Sequence, residues 1–470
     1  MTELRITDLS VTELADRIQR REISATLLTE TCLDQVGALQ DRLNAFVAIR
    51  PNHVLQQAKA CDEALANGLS TGPLHGIPVA VKDNYWTSDF PTTGCSKVHQ
   101  GKSIGSDATA VAKLRQAGAI IIGKTNMHEW AYGATNEISA NGPTRNPWNT
   151  NHITGGSSGG SGAALASRMV PAALGSDTGG SVRIPSAGCG VCGIKPTYGH
   201  VSRHGILPLS WSLDVAGPMA RSARDLALLL SVIGGNDSKD PATETFAGIR
   251  SVGADGIDPS RLRLAIPSGQ GFEAAADVKR TFQQALESFI GLGALVQDIE
   301  VPHMKEGFGA WNVILHSEAS TYHAEFLKTS SSDYSDSVRI HLDVGRCLSA
   351  TDYLKAQQYR AVFNRQVNAL VSGFDALVLP TLPVTAPRIG QSQVSFGGKK
   401  ISSQDSMTYV AWLANFTGHP AVSIPCGFGD NGLPVGMMLI GAAGSDFRLL
   451  EIADAFQQTT DWHLMAPKAQ

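Results

Sequence analysis

The stretch from 155 to 205 constrains the fold of this chain more than any other. It holds two clusters dense in glycine and serine, Gly155-Gly-Ser-Ser-Gly-Gly-Ser161 and Gly175-Ser-Asp-Thr-Gly-Gly-Ser-Val-Arg183. A linker of such composition would be a flexible coil. Here Ala163-Ala-Leu-Ala166, Pro171-Ala-Ala-Leu174 and Ile194 interrupt it with core residues. The glycines therefore belong to a packed interior, where they admit close backbone approach or dihedrals closed to other residues.

The rest of the chain can build that interior. Of 470 residues, 43% are hydrophobic and 17% charged, a globular balance and not a disordered one. The length allows two or three domains, though large α/β enzymes often run this long as one. Ser10-Val-Thr-Glu13 has the form of a capping box, and residues 10–65 carry apolar positions at helical spacing. Val79-Ala-Val-Lys82 reads as a short strand with a lysine at its end. A helix at 110–119 and a strand at 120–124 follow. Further helices are expected at 222–233, 275–293 and 448–459, and strands at 376–379, 421–424 and 436–440. This rhythm predicts an α/β fold.

Several classes are excluded. The net charge is −4 with Lys and Arg scattered, so there is no electrostatic footprint for nucleic acid. The first residues are charged and lack an apolar core, unlike a signal peptide. No run of 18 apolar residues exists to span a membrane. Seven cysteines spread along the chain fit reduced thiols in the cytoplasm. The lone Cys189/Cys192 pair has no second ligand pair and reads as a packed turn.

A serine becomes a nucleophile only when a base takes its proton, and it needs N–H donors around the developing oxyanion. Thr178-Gly-Gly-Ser181 can bring several amides to one oxygen. A phosphate cradle is discounted, because 155–161 lacks the Walker lysine and does not follow G-x-G-x-x-G. Gly156-Ser-Ser-Gly-Gly160 satisfies G-x-S-x-G, with Ser158 as nucleophile and His419 as nominal partner. No clear strand precedes it, however. A structural turn explains one such cluster better than two beside a strand-end lysine.

The segment 155–197, ending in Cys192-Gly-Ile-Lys-Pro-Thr197, closely resembles the amidase signature family. The likeness extends to Leu74-His-Gly-Ile-Pro-Val-Ala-Val-Lys-Asp-Asn84, Lys124-Thr-Asn-Met-His-Glu129, Asn141-Gly-Pro-Thr-Arg-Asn-Pro147, Ser212-Leu-Asp-Val-Ala-Gly-Pro-Met219 and Gly432-Leu-Pro-Val-Gly436. The resemblance implies one α/β/α domain over 1–470, with a mixed central β-sheet covered by helices. It divides into N-terminal helices (1–65), a catalytic core (about 66–240) and a variable, substrate-shaping region (about 300–375).

It also implies a Ser–cis-Ser–Lys triad. Lys82, Ser157 and Ser181 stand 75 and 24 positions apart, as in the family, which selects Ser157 over Ser158 as relay. Lys82 would be the base, with its pKa lowered by burial. Ser157 would pass the proton, Ser181 would attack, and the amides of Thr178, Gly179, Gly180 and Ser181 would hold the oxyanion. Asp177 and Arg183 would brace the loop. Met127, Tyr132, Ile206 and Trp211 fall where family members line the acyl pocket. The chemistry requires no metal or cofactor.

The expected activity is amidohydrolysis of small C–N amides. The alternatives are a carbamate or ester hydrolase on the same triad, and a glutaminase-like subunit of a tRNA amidotransferase. The expected partner is a small-molecule amide or carbamate, without nucleic acid or membrane, and with a homodimer as an option. Trp311, Tyr322, Tyr353 and Tyr359 fit an apolar or aromatic substrate, and helix-core packing explains them as well.

Overall fold

The structure is a computed structural model, described for residues 5–69, 72–99, 105–244 and 257–468. The strands, in chain order, are β1 (Phe46–Ile49), β2 (Pro78–Lys82), β3 (Ile120–Thr125), β4 (Arg145–Asn146), β5 (Asn149–Ile153), β6 (Ala172–Asp177), β7 (Cys192–Lys195), β8 (Val215–Ala220), β9 (Arg263–Ser268), β10 (Leu295–Glu300), β11 (Ala376–Pro380), β12 (Gln393–Phe396), β13 (Lys399–Ser402), β14 (Ala421–Phe428) and β15 (Pro434–Ile440). Eleven of them form one sheet, ordered β1-β3-β2-β6-β8-β7-β14-β15-β11-β9-β10. The pairs β2–β3, β2–β6, β9–β10 and β9–β11 are parallel and the rest antiparallel, so the sheet is mixed, as expected.

The central strands β2, β3, β6, β8 and β15 are buried along their whole length. This explains their continuous apolar runs, since helices cover both faces. The predicted helices form as Val11–Gln19, Ala25–Leu43, Pro51–Ala66, Thr109–Gln116, Ala223–Ile233, Ala276–Gly291 and Asp446–Gln457. Ser10 and Glu13 complete the capping box.

One expectation needs correction. Residues 149–153 do form a strand, which pairs with β4 and bridges from His152 to Arg388, outside the central sheet. The Cys189/Cys192 segment is a packed turn, as expected, where a helix end runs through Gly190 into β7. Both thiols are buried, and Cys192 Sγ lies 3.2 Å from the Arg221 carbonyl and 3.1 Å from Gln457 Nε2. Among the described residues, no helix is long and apolar enough to cross a membrane.

The site follows from the sheet. β2 and β6 are parallel neighbours, with Val81 opposite Leu174. Their carboxyl ends therefore lie side by side, the edge where open α/β sheets bind ligands. Lys82 ends one strand, and Ser176 and Asp177 end the other.

Candidate active site

Lys82 is fully buried. Its Nζ lies 2.7 Å from Ser157 Oγ, 2.9 Å from Ser176 Oγ and 3.4 Å from the Ser176 carbonyl. Burial pushes the ammonium down to about 7, against the opposing pull of Asp177 and Asp214. Burial thus favours the free amine of Lys82, which can take a proton, over the ammonium. Ser176 received no role from sequence, although it sits inside the second glycine cluster. Its Oγ also accepts from Asn84 Nδ2, at 2.9 Å.

The Gly156–Ser157 peptide is cis. Ser157 is fully buried, and its carbonyl accepts from the His128 amide. Ser158 is turned to a different task. Its Oγ donates to the Ser176 carbonyl (3.3 Å) and accepts from the Ser176 amide (3.4 Å), while its own amide donates to the Ser181 carbonyl (3.2 Å). These bonds stitch the first cluster to the second. Both ring nitrogens of His419 lack hydrogen-bond partners, so no Ser158–His419 couple exists. Among the described residues, no Oγ–Oγ hydrogen bond joins Ser157 to Ser181; the link between them is the backbone bond through Ser158.

The Ser181 loop is held from below. Asp177 forms a buried ion pair with Arg183 at 2.9 Å and accepts from the amides of Gly180, Val182 and Arg183. Burial alone would raise this carboxyl, but the guanidinium and the amides hold it down to about 2. Asn415 locks both partners, donating to the Asp177 carbonyl and accepting from Arg183 Nη2. The Gly180 amide is thus engaged by Asp177 Oδ1 at 2.8 Å. This departs from the expectation of four amides facing an oxyanion, and the Gly179 and Ser181 amides carry no such internal bond among the described residues. Two glycines here are obligatory. Gly180 sits at φ +123°, and a Cβ on Gly179 would lie 2.4 Å from the Trp311 ring.

Ser181 opens onto a cavity of about 120 Å³. Its walls are the loop Tyr132–Ala134, the Thr178–Ser181 turn, Leu209, the helix Met304–Ser330 (Phe308, Trp311, Asn312, Leu315, His316), His341, and the helix Ser403–Thr408 (Gln404, Asp405, Thr408).

Of the four acyl-pocket candidates, only Tyr132 lines this cavity. Met127 is a fully buried core residue. Ile206 and Trp211 line a separate depression that includes Ser176 and Asp214. Of the four aromatic residues singled out from sequence in 300–375, only Trp311 lines the cavity, where it is joined by Phe308. Tyr322 packs on Trp130, Tyr353 donates to Glu318, and Tyr359 stacks on Phe363. The residues that sequence reasoning missed are His316, His341 and Gln404, which no motif or spacing marks.

Comparisons with known proteins agree with this fold. Residues 27–450 match the Amidase family. A glutamyl-tRNA(Gln) amidotransferase subunit from Geobacter metallireducens is 37% identical, over 98% of this chain and 99% of its own. Among solved structures, one from a vestigial protein complex that reveals the evolutionary origins of an s-triazine catabolic enzyme superposes with a TM-score of 0.92, at 33% identity, over 98% of this chain and 100% of its own. The corresponding amidotransferase subunit from Thermotoga maritima gives a TM-score of 0.82, at 34% identity, over 99% and 98%. The chain belongs to the amidase signature family, whose enzymes act on C–N bonds.

The partner expectation is overturned. The partner reading from sequence named a small molecule, no nucleic acid and at most a homodimer, and only the alternative of a tRNA amidotransferase subunit placed the chain in a larger complex. These relatives are named as one subunit of a glutamyl-tRNA(Gln) amidotransferase, and the s-triazine structure is of a protein complex. Scattered charge does not decide this point, because a subunit can work in a nucleic-acid pathway without contacting the nucleic acid through its own basic patch.

Proposed function

We propose that this chain is the amide-cleaving subunit of a protein assembly and works through an acyl-enzyme on Ser181. Neutral Lys82 takes the proton of Ser157, Ser157 takes that of Ser181, and Ser181 Oγ attacks the amide carbonyl. The oxyanion forms against the Thr178–Ser181 turn. As the C–N bond breaks, the proton returns through Ser157 to the leaving nitrogen, which departs as ammonia or an amine. Water activated by the same relay then releases the acid. The observation that carries this reading is Lys82 itself, fully buried, held down to about 7 and 2.7 Å from Ser157 Oγ. General bases work best with a pKa near the working pH.

The relatives favour glutamine as the amide and an amidotransferase-type assembly as the context. A second reading keeps the chemistry and replaces the substrate with another small nitrogen-rich amide, hydrolysed without tRNA. The higher TM-score of the s-triazine relative, 0.92 against 0.82, favours it. Ammonia release from glutamine, small linear amides, carbamates and esters separates the two, read together with mass spectrometry of whatever co-purifies from the native host. Undiminished turnover in Ser181→Ala would sink the mechanism. Turnover of other amides but never of glutamine would sink the first reading.

A further inference from the structure

The Ser181 cavity also carries a cluster that acyl transfer does not use. His316, on the helix Met304–Ser330, and His341, on the helix Asp336–Cys347, have ring centroids 5.5 Å apart. Tyr132 lies 5.9 and 5.1 Å from them. The Tyr132 hydroxyl is hydrogen-bonded to His316 Nδ1. Nδ1 of His341 is buried and has no partner. All three residues line the cavity together with Ser181, and no Arg or Lys is among its described lining residues. The two imidazoles are therefore the groups there that can acquire positive charge.

We propose that His316 and His341 form a subsite for a carboxylate at the far end of the acyl group, so that the preferred substrates are short amides with an anionic terminus. The inference rests on the amide-cleaving reading above and narrows its substrate class, of which glutamine is one member. Burial and the proximity of His341 hold His316 down to about 4, and burial lowers His341 despite the opposing charge of Asp405, so both rings are biased toward the neutral form. Asp405 is the acidic group among the described residues of the cavity wall. His128 is pushed down to about 3 by burial, and Tyr132 is held as a phenol by burial. The subsite uses the tautomer in which the Tyr132 hydroxyl donates to Nδ1, so that His316 carries its hydrogen on Nε2 and presents a donor. A carboxylate accepting from that N–H favours a proton on the orphaned nitrogen of His341, because an opposite charge within a few ångströms stabilises the charged imidazole. An anion thus brings its own counter-charge by proton uptake, whereas a neutral carboxamide of the same size does not.

The test is calorimetric binding to full-length Ser181→Ala, comparing succinamate with neutral succinamide at pH 6, 7 and 8 in two buffers of different ionisation enthalpy. Succinamate is expected to bind at least about tenfold tighter at pH 6 and to take up a proton. Its Kd should weaken by about tenfold between pH 6 and 8, since one linked proton changes affinity by at most tenfold per pH unit. Succinamide should bind with no pH dependence. His316→Asn and His341→Asn should each remove the proton uptake and cut the preference to about threefold or less. Equal affinity for the two ligands, pH-independent binding of succinamate, no binding, or a preference that survives both variants would each overturn the proposal. The wild-type rings are tested by the pH series alone should either variant fail to fold. Because the protein lacks its nucleophile, binding is read apart from turnover. Intact anion binding with no hydrolysis in the Ser181 protein strikes the amide-cleaving reading and leaves the subsite standing.

Discussion

Lys82→Met should make the protein inactive and, near neutral pH, more stable. The ordinary lysine value is 10.5, and burial brings Lys82 to about 7. Between those values the unfolded chain binds a proton that the native protein does not, so native stability rises with pH across this window. At about 1.4 kcal/mol per tenfold, keeping Lys82 in place costs about 4 kcal/mol at pH 7 and about 2 kcal/mol at pH 9. Methionine removes that cost and packs as a similar apolar chain. It also strips a partner from the Ser157 and Ser176 hydroxyls, which gives back about 1–2 kcal/mol. The net expectation is a gain of about 2–3 kcal/mol at pH 7, shrinking to near zero at pH 9. Denaturant midpoints of both proteins at the two pH values measure this, and the other buried lysines cancel in the difference. The activity arm uses kcat/KM against pH. The wild type should rise to half-maximum near pH 7. Losing the base should cost about 10²–10⁴-fold. A variant less stable than wild type at pH 7, or a wild-type profile flat from pH 5.5 to 8.5, would refute the assignment of Lys82 as a buried, neutral base.

Three further outcomes follow from the same geometry. Arg183→Met should destabilise the fold by about 3–5 kcal/mol in denaturant titrations, because it leaves Asp177 buried and unpaired. Ser158→Ala should reduce kcat/KM far less than Ser157→Ala, since Ser158 Oγ contacts only the Ser176 backbone; a larger effect at Ser158 would restore the elbow reading. Gly179→Ala should lose about tenfold or more in kcat, because the new methyl would sit on the Trp311 ring. Trp311→Leu on top of it should recover part of that loss.

The core of this site was legible because backbone geometry dictates its residues. Gly180 cannot be replaced at its dihedral, Gly179 cannot carry a Cβ under Trp311, and Asp177 must satisfy three amides and a guanidinium at once. Such demands leave a dense local signature, and the two clusters carry it. Lys82 was harder to read. A strand-end lysine looks the same in sequence whether it reaches solvent or a buried serine, and only the parallel pairing of β2 with β6 decides between them. That pairing is a long-range fact, visible beforehand through family spacing alone. Ser158 shows the opposite hazard. It satisfies a short catalytic pattern, and β5 even supplies a preceding strand, yet its hydroxyl is occupied by the backbone of the next cluster.

The pocket was misread for a related reason. Its walls come from elements far apart in sequence, loops as well as helices, that meet only in the folded chain. His316 is one polar residue on a 27-residue helix and His341 one on a 12-residue helix. Neither has a partner at motif spacing, so helical periodicity sees only a solvated position. Conversely, Tyr353 and Tyr359 are aromatic where a substrate wall was expected, but they pack between helices. The division is physical. Chemistry on a sheet edge is built from contiguous backbone and leaves a motif, while selectivity is built from side chains that converge only after the helices dock. A substrate class for this chain therefore has to be argued from the cavity that His316, His341 and Asn312 share with Ser181, and a test that varies the far end of the acyl group probes it more directly than one that varies the leaving amine.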